Sequence, residues 1–336
     1  MTNTSFNALV LRETDGKTSA AVEQLSTDDL PQGEVLVRVQ YSSINYKDAM
    51  AVTGTGKIIR KFPMVPGIDL AGTVVESADS QFKPGDPVVL TGWSVGERFW
   101  GGYSQMQRLK AEWLLPLPEA ISLKQAMVIG TAGLTAMLCV MALEDAGITP
   151  QSGKVVVSGA NGGVGSVAIV LLAKLGYQVS ALTREVNATA QSYLTGLGAS
   201  EVIGGDEWKV APKPLEAQKW AAAIDTVGGT VLARLLAEMD YQGAVAACGL
   251  AGGFQLSTTV MPFILRGVKL LGVDSVMCPN PRRLMAWQRL ARDLDFSRLA
   301  NNERCTGLAG IHAIAAEMMA GKSRGRVVVD LADSNC

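Results

Sequence analysis

Hydrophobic positions follow two different rhythms along this chain. In the first third they alternate with polar positions, most clearly from Glu34 to Tyr41, as in a half-buried β-strand. Turn signals at Pro66-Gly67, Lys83-Pro-Gly-Asp86 and Trp100-Gly-Gly102 separate further short strands. We therefore predict that this part forms a compact, mostly β domain.

From Gly153 onwards, short apolar runs alternate with segments of helical periodicity. Because such alternation joins neighbouring strands through crossover helices, it predicts an α/β fold with a doubly wound parallel sheet. The predicted strands are 155–158, 178–182, 201–203, 222–227, 244–248 and 269–273, and the predicted helices between them are 164–175, 188–197 and 230–239.

The end of the chain predicts two further helices, 282–293 and 312–319, and a strand from Arg326 to Leu331. This strand lies far along the chain from the six others, so we expect it to return to the first domain. The predicted domains are 1–125 together with 270–336, and 126–269.

The segment from Ala126 to Leu143 carries no charge, and its 18 residues are close to the lower limit for a membrane span. Glycine and threonine interrupt it at Gly130, Thr131 and Gly133, and charged residues flank it. We interpret it as a buried helix, with a membrane span as the alternative.

Composition narrows the classes of function. The 336 residues suit two domains, and the formal net charge of −1 indicates neither nucleic-acid binding nor attraction to anionic membranes. The five scattered cysteines favour neither a disulfide framework nor a structural zinc site, which predicts a reducing, cytoplasmic setting. The first 17 residues lack the pattern of a signal peptide.

The most informative motif is the run Ser158-Gly-Ala-Asn-Gly-Gly-Val-Gly165, which follows an apolar strand and opens a helical pattern. Glycines allow a tight turn and a close approach of backbone to a pyrophosphate, and a helix N-terminus attracts the phosphate charge. We predict a dinucleotide site here, with a ligand-free turn as the alternative. Its predicted contacts are Asn161, Gly162, Gly163 and Val164.

Several phrases of this sequence match those of a known protein class: Asn45-Tyr-Lys-Asp48, Pro66-Gly-Ile-Asp-Leu-Ala-Gly72, Lys83-Pro-Gly-Asp86, Gly130-Thr-Ala-Gly-Leu-Thr135 and the glycine-rich run. With them the chain resembles the medium-chain dehydrogenase/reductase superfamily, in which a chaperonin-10-like, mostly β catalytic domain precedes a Rossmann domain. The resemblance implies that arrangement here.

Longer phrases, such as Gly54-Thr-Gly-Lys-Ile-Ile-Arg60 and Ala246-Ala-Cys-Gly-Leu-Ala-Gly-Gly253, are similar to the acryloyl-CoA reductase branch, long labelled as quinone oxidoreductases. This resemblance implies NADPH-dependent, zinc-independent reduction of acryloyl-CoA to propanoyl-CoA. A quinone or enone reductase and a non-catalytic NADPH-binding protein are the alternatives.

Many members of the superfamily hold a catalytic zinc through Cys, His and Cys, with a Glu after the His. The matching positions here are Asn45, Ile68 and Thr131, with Asp69 after Ile68. Ile68 cannot bind a metal, and the other two supply neither thiolate nor imidazole. His312, the only histidine, is remote in sequence. We therefore predict a metal-independent reaction and no metal ligand.

Without a Lewis acid, the natural reaction is reduction of a C=C bond that a carbonyl group activates. It requires a donor near the developing enolate oxygen, for which Asn45 and Tyr46 are the candidate catalytic residues. The resemblance places Tyr46 against the cofactor, so that packing beneath the nicotinamide is its alternative role. Asp48 and Asp69 orient this pair or relay a proton, or else cap backbone turns.

The second Rossmann strand leads into Thr183-Arg184, where an acid usually binds the ribose of NADH. A hydroxyl and a guanidinium suit a 2′-phosphate, which predicts NADPH; a shift of one residue would instead place Glu185 at the ribose. The resemblance adds Leu250, Ile264 and Ser275 along the cofactor. It also expects an arginine where this chain has Gly204-Gly205, which predicts weaker NADPH affinity.

The predicted substrate is a small acyl-CoA or enone. Two basic clusters suit the phosphates of CoA, Lys57 with Arg60 and Lys61, and Arg282 with Arg283; ordinary solvated surface is the alternative for each. The strand 269–273 would leave a sheet edge that related proteins pair across a dimer, which favours a homodimer or a larger homo-oligomer.

Overall fold

The computed structural model describes residues 4–300 and 303–332, and the chain divides into two compact units. The first unit comprises Met1–Thr131 and Asn302–Cys336, and the second comprises Ala132–Asn301. Residues 270–301 therefore belong to the second unit, whereas the sequence placed them in the first. The reason is that the strand beginning at Lys269 pairs within the second sheet, and the helix after it is tied to that unit by ion pairs.

The first unit is built mainly of antiparallel strands. A hairpin of β1 and β2 accompanies a seven-stranded sheet of order β14-β15-β3-β4-β5-β7, with β6 also paired to β3. The strands are β1 (Ser5–Thr14), β2 (Lys17–Ser26), β3 (Val35–Ser43), β4 (Asp69–Ser77), β5 (Pro87–Thr91), β6 (Met106–Leu109), β7 (Leu115–Pro116), β14 (Glu303–Thr306) and β15 (Arg326–Asp330), and the helices are α1 (Tyr46–Thr53) and α9 (Ile311–Met319).

β3 shows why the alternating pattern forms a strand. Val35, Val37 and Val39 lie in the core of the first unit, while Arg38 between them is exposed on the opposite face. The far end of the chain reaches the same sheet, because β15 pairs antiparallel with β3 and sets Val328 opposite Ser43. The predicted return of the last strand to the first domain is confirmed.

The second unit contains the predicted parallel sheet, in the order β10-β9-β8-β11-β12-β13. A separate core of apolar side chains, including Val156, Ala223 and Leu235, lies between strands and helices. The strands are β8 (Val155–Val157), β9 (Val179–Leu182), β10 (Glu201–Ile203), β11 (Trp220–Asp225), β12 (Met239–Ala247) and β13 (Lys269–Gly272), and the helices are α3 (Gly163–Lys174), α4 (Ala188–Leu197), α5 (Gly229–Glu238), α6 (Met261–Arg266), α7 (Asn280–Asp293) and α8 (Phe296–Leu299).

Helix α2 (Leu123–Asp145) contains the long uncharged segment. Its apolar window has a mean hydropathy of 2.1, which passes the length and composition test for a membrane span, but 89% of that window is buried in protein. This burial is typical of the core helix of a globular domain. The backbone at Gly130 leaves helical geometry, with φ 51° and ψ −160°.

The cysteines differ in state. Cys139, Cys248 and Cys278 are free thiols, whereas Cys305 is disulfide-bonded. The sequence indicated no disulfide framework, and scattered spacing gave no sign of this bond, because spacing along the chain does not report distance in space. Cys336 lies outside the described residues.

Candidate active site

The glycine-rich run forms a tight turn between β8 and α3 in the second unit. Gly159 has φ +60°, a left-handed conformation that favours glycine. A Cβ on Gly165 would lie 2.4 Å from the carbonyl oxygen of Gly159, so only glycine lets α3 pack this closely on the turn. The first N–H groups of α3 lack helical partners and lie at the positive end of the helix dipole, which suits a phosphate group.

Asn161 connects this turn to the end of β9. Its Nδ2 donates a hydrogen bond of 2.7 Å to Oγ1 of buried Thr183, while its Oδ1 is buried without a partner among the described residues. The next side chain, Arg184, is exposed and makes no ion pair within the described chain. An unsatisfied buried acceptor beside a free guanidinium fits the ribose and 2′-phosphate of NADPH.

Gly204, the residue after β10, stands where the family resemblance leads us to expect an arginine, and its surroundings explain why no side chain is found there. A Cβ on Gly204 would lie 2.4 Å from the carbonyl oxygen of Thr183. The backbone of Thr183 therefore leaves no room for a side chain at this position, and Arg184 is the arginine that remains beside the end of β9.

The three residues that the resemblance adds to the cofactor site lie in different surroundings. Leu250 and Ile264 are 64% and 71% exposed, the first after β12 and the second on α6. Ser275 is buried, accepts a hydrogen bond of 2.8 Å from Thr135 Oγ1, and lies after β13. Leu250 and Ser275 follow the carboxyl ends of strands, where open α/β sheets bind ligands.

A buried polar cluster lies at the start of β4 in the first unit. Asp69 accepts four hydrogen bonds: Oδ2 from Ser43 Oγ at 2.7 Å, from Asn45 Nδ2 at 2.8 Å and from the Thr131 backbone at 2.9 Å, and Oδ1 from Thr131 Oγ1 at 2.5 Å. These four hydrogen bonds fix the orientation of the buried carboxyl group. Asn45 and Thr131, two of the positions that match zinc ligands in relatives, are thus held by one carboxylate.

Asp48 is the second buried carboxylate of the cluster. It forms a capping box with Asn45 at the start of α1, and its Oδ1 also accepts from the Ile68 backbone at 3.0 Å. Burial, together with the nearby charge of Asp69, raises the pKa of Asp48 to about 7 despite these hydrogen bonds. Asp48 therefore caps the backbone at the start of α1 and lies close to Asp69 in the cluster.

Arg326, the first residue of β15, supplies the positive charge. Its guanidinium donates to Asn45 Oδ1 at 3.1 Å, to Ser43 Oγ at 3.2 Å and to the Val128 carbonyl at 2.8 Å. Burial lowers the pKa of Arg326, and the charges of Asp69 and Asp48 oppose that shift. Position 130 lies against both the Arg326 guanidinium and the Asp69 carboxylate. A Cβ on Gly130 would lie 2.6 Å from Arg326 Nη2 and 2.5 Å from Asp69 Oδ2, so only glycine fits there.

The two predicted catalytic residues differ in what they can offer a ligand. Both ends of the Asn45 amide are used within the cluster, so Asn45 is held as a positioning residue. Tyr46, the first residue of α1, is 48% exposed, and its hydroxyl makes no hydrogen bond within the described residues. The cluster therefore fixes the helix start from which Tyr46 presents a free donor.

Sequence reasoning did not single out Arg326 or Ser43. One signal was available for Arg326, because a charged residue heads the otherwise apolar strand Val327-Val-Val329. A buried arginine needs a charged or polar partner, so this strand pattern marks Arg326 as a candidate for a buried polar cluster. Within the described residues there is no group of three His, Cys, Asp or Glu side chains that could hold a metal ion.

Comparisons with known proteins identify similar sequences and similar folds. Residues 31–119 match the alcohol dehydrogenase GroES-like domain. Acrylyl-CoA reductase AcuI from Ruegeria pomeroyi is 54% identical, covering 97% of this chain and 99% of that protein. The yhdH oxidoreductase from Salmonella enterica, solved with NADP, is 56% identical with a TM-score of 0.94, covering 96% of this chain and 99% of that one. The Bacillus subtilis protein yhfP, solved with NAD, is 44% identical with a TM-score of 0.94, covering 98% of this chain and all of that one.

A GroES-like unit followed by a Rossmann sheet with a dinucleotide-binding turn defines a medium-chain dehydrogenase/reductase, and this chain is an oxidoreductase of that class. Within the class, the chain belongs to the acrylyl-CoA reductase family.

Proposed function

We propose that this protein uses NADPH to reduce the C=C bond of acryloyl-CoA, giving propanoyl-CoA, without a metal ion. The observation that carries the proposal is the free hydroxyl of Tyr46 at the start of a helix that buried Asp69 and Arg326 hold in place. The identity to an acrylyl-CoA reductase over almost the whole chain supports the substrate class.

The Thr183, Arg184 and Asn161 side chains would hold the ribose and 2′-phosphate of the cofactor, and the turn at Gly162, Gly163 and Val164 would hold its pyrophosphate. When bound, NADPH would supply a hydride to the β-carbon of the acryloyl group, and the α-carbon would then take up a proton to complete the reduction. As the C=C bond is reduced, negative charge grows on the thioester oxygen, and the Tyr46 hydroxyl donates a hydrogen bond to it. Asn45 keeps α1 and hence Tyr46 oriented.

The assay that tests this function is NADPH consumption in stopped flow with acryloyl-CoA, compared with a simple quinone. We expect rapid turnover of acryloyl-CoA, because its thioester carbonyl activates the double bond. Rapid turnover of the quinone with none of acryloyl-CoA would instead show a quinone oxidoreductase. Tight NADPH binding with no turnover of any activated alkene would show a non-catalytic binding protein.

Replacement of Arg184 by alanine tests the choice of cofactor. A charge-assisted hydrogen bond to a 2′-phosphate contributes about 1.5–3 kcal/mol, so we expect KM for NADPH to rise by roughly 10- to 100-fold. KM for NADH, which lacks that phosphate, should change little. Both values come from initial rates at saturating acyl-CoA.

The matched control is Arg298→Ala, an exposed arginine of the same unit that pairs with Asp295. It should leave both KM values near those of the wild-type protein. An equal rise for NADPH and NADH in Arg184→Ala would remove the 2′-phosphate role and favour the alternative in which Glu185 binds the ribose.

Self-association and location remain predictions. β13 ends the parallel sheet, so its outer edge has no strand partner among the described residues, and exposed apolar side chains such as Leu265 and Leu270 lie on or near it. This edge supports a homodimer or larger homo-oligomer. The cytoplasmic location is predicted from the scattered cysteines, and the nearly balanced charge supports the absence of membrane and nucleic-acid partners.

A further inference from the structure

The two basic clusters that suit CoA phosphates have different roles in the fold. Arg283 is buried and donates to the carbonyl oxygens of Ser275, Val276 and Cys278, and Arg282 pairs with Asp145. Both guanidinium groups therefore hold the α7 region together and have partners already. Only Arg282 of this cluster reaches the surface, and Asp145 already offsets its charge, so the cluster suits a phosphorylated ligand less well than unpaired cations do.

Lys57, Arg60 and Lys61 are exposed, and none of them makes an ion pair with any residue that the structure describes. The 20 residues from Ala49 to Ile68 contain these three cations and no carboxylate. The local field is therefore positive.

The loop that carries these cations is held in place by its apolar residues. Ile58, Ile59 and Phe62 pack against the small core of Leu11, Ala51 and Met64. The backbone of Met64 exchanges two hydrogen bonds with Leu11 of β1, at 2.7 and 3.0 Å. The alternation of anchored apolar and exposed basic residues fixes the loop while its charges face solvent, which lowers the entropy cost of binding.

The same loop continues directly from the helix that begins with the proposed donor. α1 runs for 8 residues from Tyr46 to Thr53, a rise of about 12 Å. In an acyl-CoA, the pantetheine arm joins the thioester to the diphosphate and 3′-phosphate. When extended, this arm is long enough to span the length of α1. The thioester and the nucleotide of one ligand can thus lie at opposite ends of α1.

We propose that Lys57, Arg60 and Lys61 form the subsite for the diphosphate and 3′-phosphate of CoA; this rests on the proposed function, since it concerns the substrate of the same reaction. The three side chains donate charge-assisted hydrogen bonds to the phosphate oxygens, with Arg60 able to bind two oxygens at once. The contacts select the CoA ester and leave the chemistry of the thioester unchanged.

The test is the triple variant Lys57→Gln/Arg60→Gln/Lys61→Gln, assayed with acryloyl-CoA and with acryloyl-N-acetylcysteamine, which has the thioester but no phosphate. We expect the ratio of kcat/KM for the CoA ester to that for the truncated ester to fall about tenfold, because three exposed ionic contacts are lost. The control Lys83→Gln/Lys110→Gln/Lys322→Gln removes the same charge elsewhere in the first unit and should keep the wild-type ratio.

Titration of CoA itself into NADP⁺-saturated enzyme decides the subsite without turnover. We expect wild-type binding and an affinity about tenfold weaker in the triple variant. Equal ratios and equal CoA affinities in the triple variant and wild type would overturn the subsite, and so would absence of CoA binding to the wild type. Loss of acryloyl-CoA turnover in the wild type would overturn the proposed function alone, since the titration would still locate the nucleotide.

Discussion

Replacement of Arg326 by methionine is expected to lower the free energy of unfolding by about 3–5 kcal/mol at neutral pH. The guanidinium is buried and neutralises a site that holds two carboxylates, Asp48 and Asp69. Methionine fills similar volume but leaves those charges uncompensated and leaves the Val128 carbonyl and the Asn45 amide oxygen without their donor.

The loss should depend on pH in a defined direction. Burial raises the pKa of Asp48 to about 7, well above the value near 3.9 of an unfolded chain. A raised pKa means that this carboxyl group stabilises the fold fully below about pH 4, and that the contribution is lost as pH rises through about 7. Without the guanidinium, ionised carboxylates are less favourable still, so the deficit of the variant should grow as pH rises.

Urea unfolding of the wild-type protein and of Arg326→Met, at about pH 5 and about pH 8, measures the loss of unfolding free energy and its dependence on pH. The matched control is Arg304→Met on the neighbouring strand β14, whose ion pair with Glu317 is about half exposed. Exposed pairs contribute at most about 1 kcal/mol, so this control should show a small loss. A similar small loss in Arg326→Met, equal at both pH values, would show that the cluster does not need its guanidinium.

Replacement of Tyr46 by phenylalanine is expected to lower kcat for acryloyl-CoA by roughly 10²- to 10³-fold, the usual effect of removing one donor to an oxyanion. The ring and its packing are kept, so KM for NADPH should change little. The free state of the hydroxyl supports this expectation, because no protein group of the described chain competes for it. Steady-state rates with both substrates varied separate kcat from KM.

Tyr241→Phe is the matched control, since Tyr241 is 68% exposed in the second unit and also loses only a hydroxyl. Its kcat should equal that of the wild type. If kcat of Tyr46→Phe is also unchanged, Tyr46 acts by packing beneath the nicotinamide. Tyr46→Ala would then raise KM for NADPH, which would identify the packing role directly.

Much of the second unit could be predicted because its signals are local. The helix α4 and the strand β10 have the predicted bounds, since a buried face must recur with the period of its own element. β12 begins at Met239, five residues before the predicted start, because a register shift opposite Trp220 and Ala222 admits polar residues into the strand. A bulge of this kind interrupts the alternation of apolar and polar residues, so the sequence pattern does not reveal it.

The sequence by itself determined the parallel sheet, the glycine turn that only unsubstituted backbone can make, and the absence of suitable zinc ligands at Asn45, Ile68 and Thr131. These follow from steric and chemical limits of single residues or short runs. Only the tertiary structure decided that Arg326 neutralises Asp69, and that Arg282 and Arg283 are occupied while Lys57, Arg60 and Lys61 are free. Those facts depend on which distant charges become buried together, and burial of a pair is a property of the folded chain rather than of either residue.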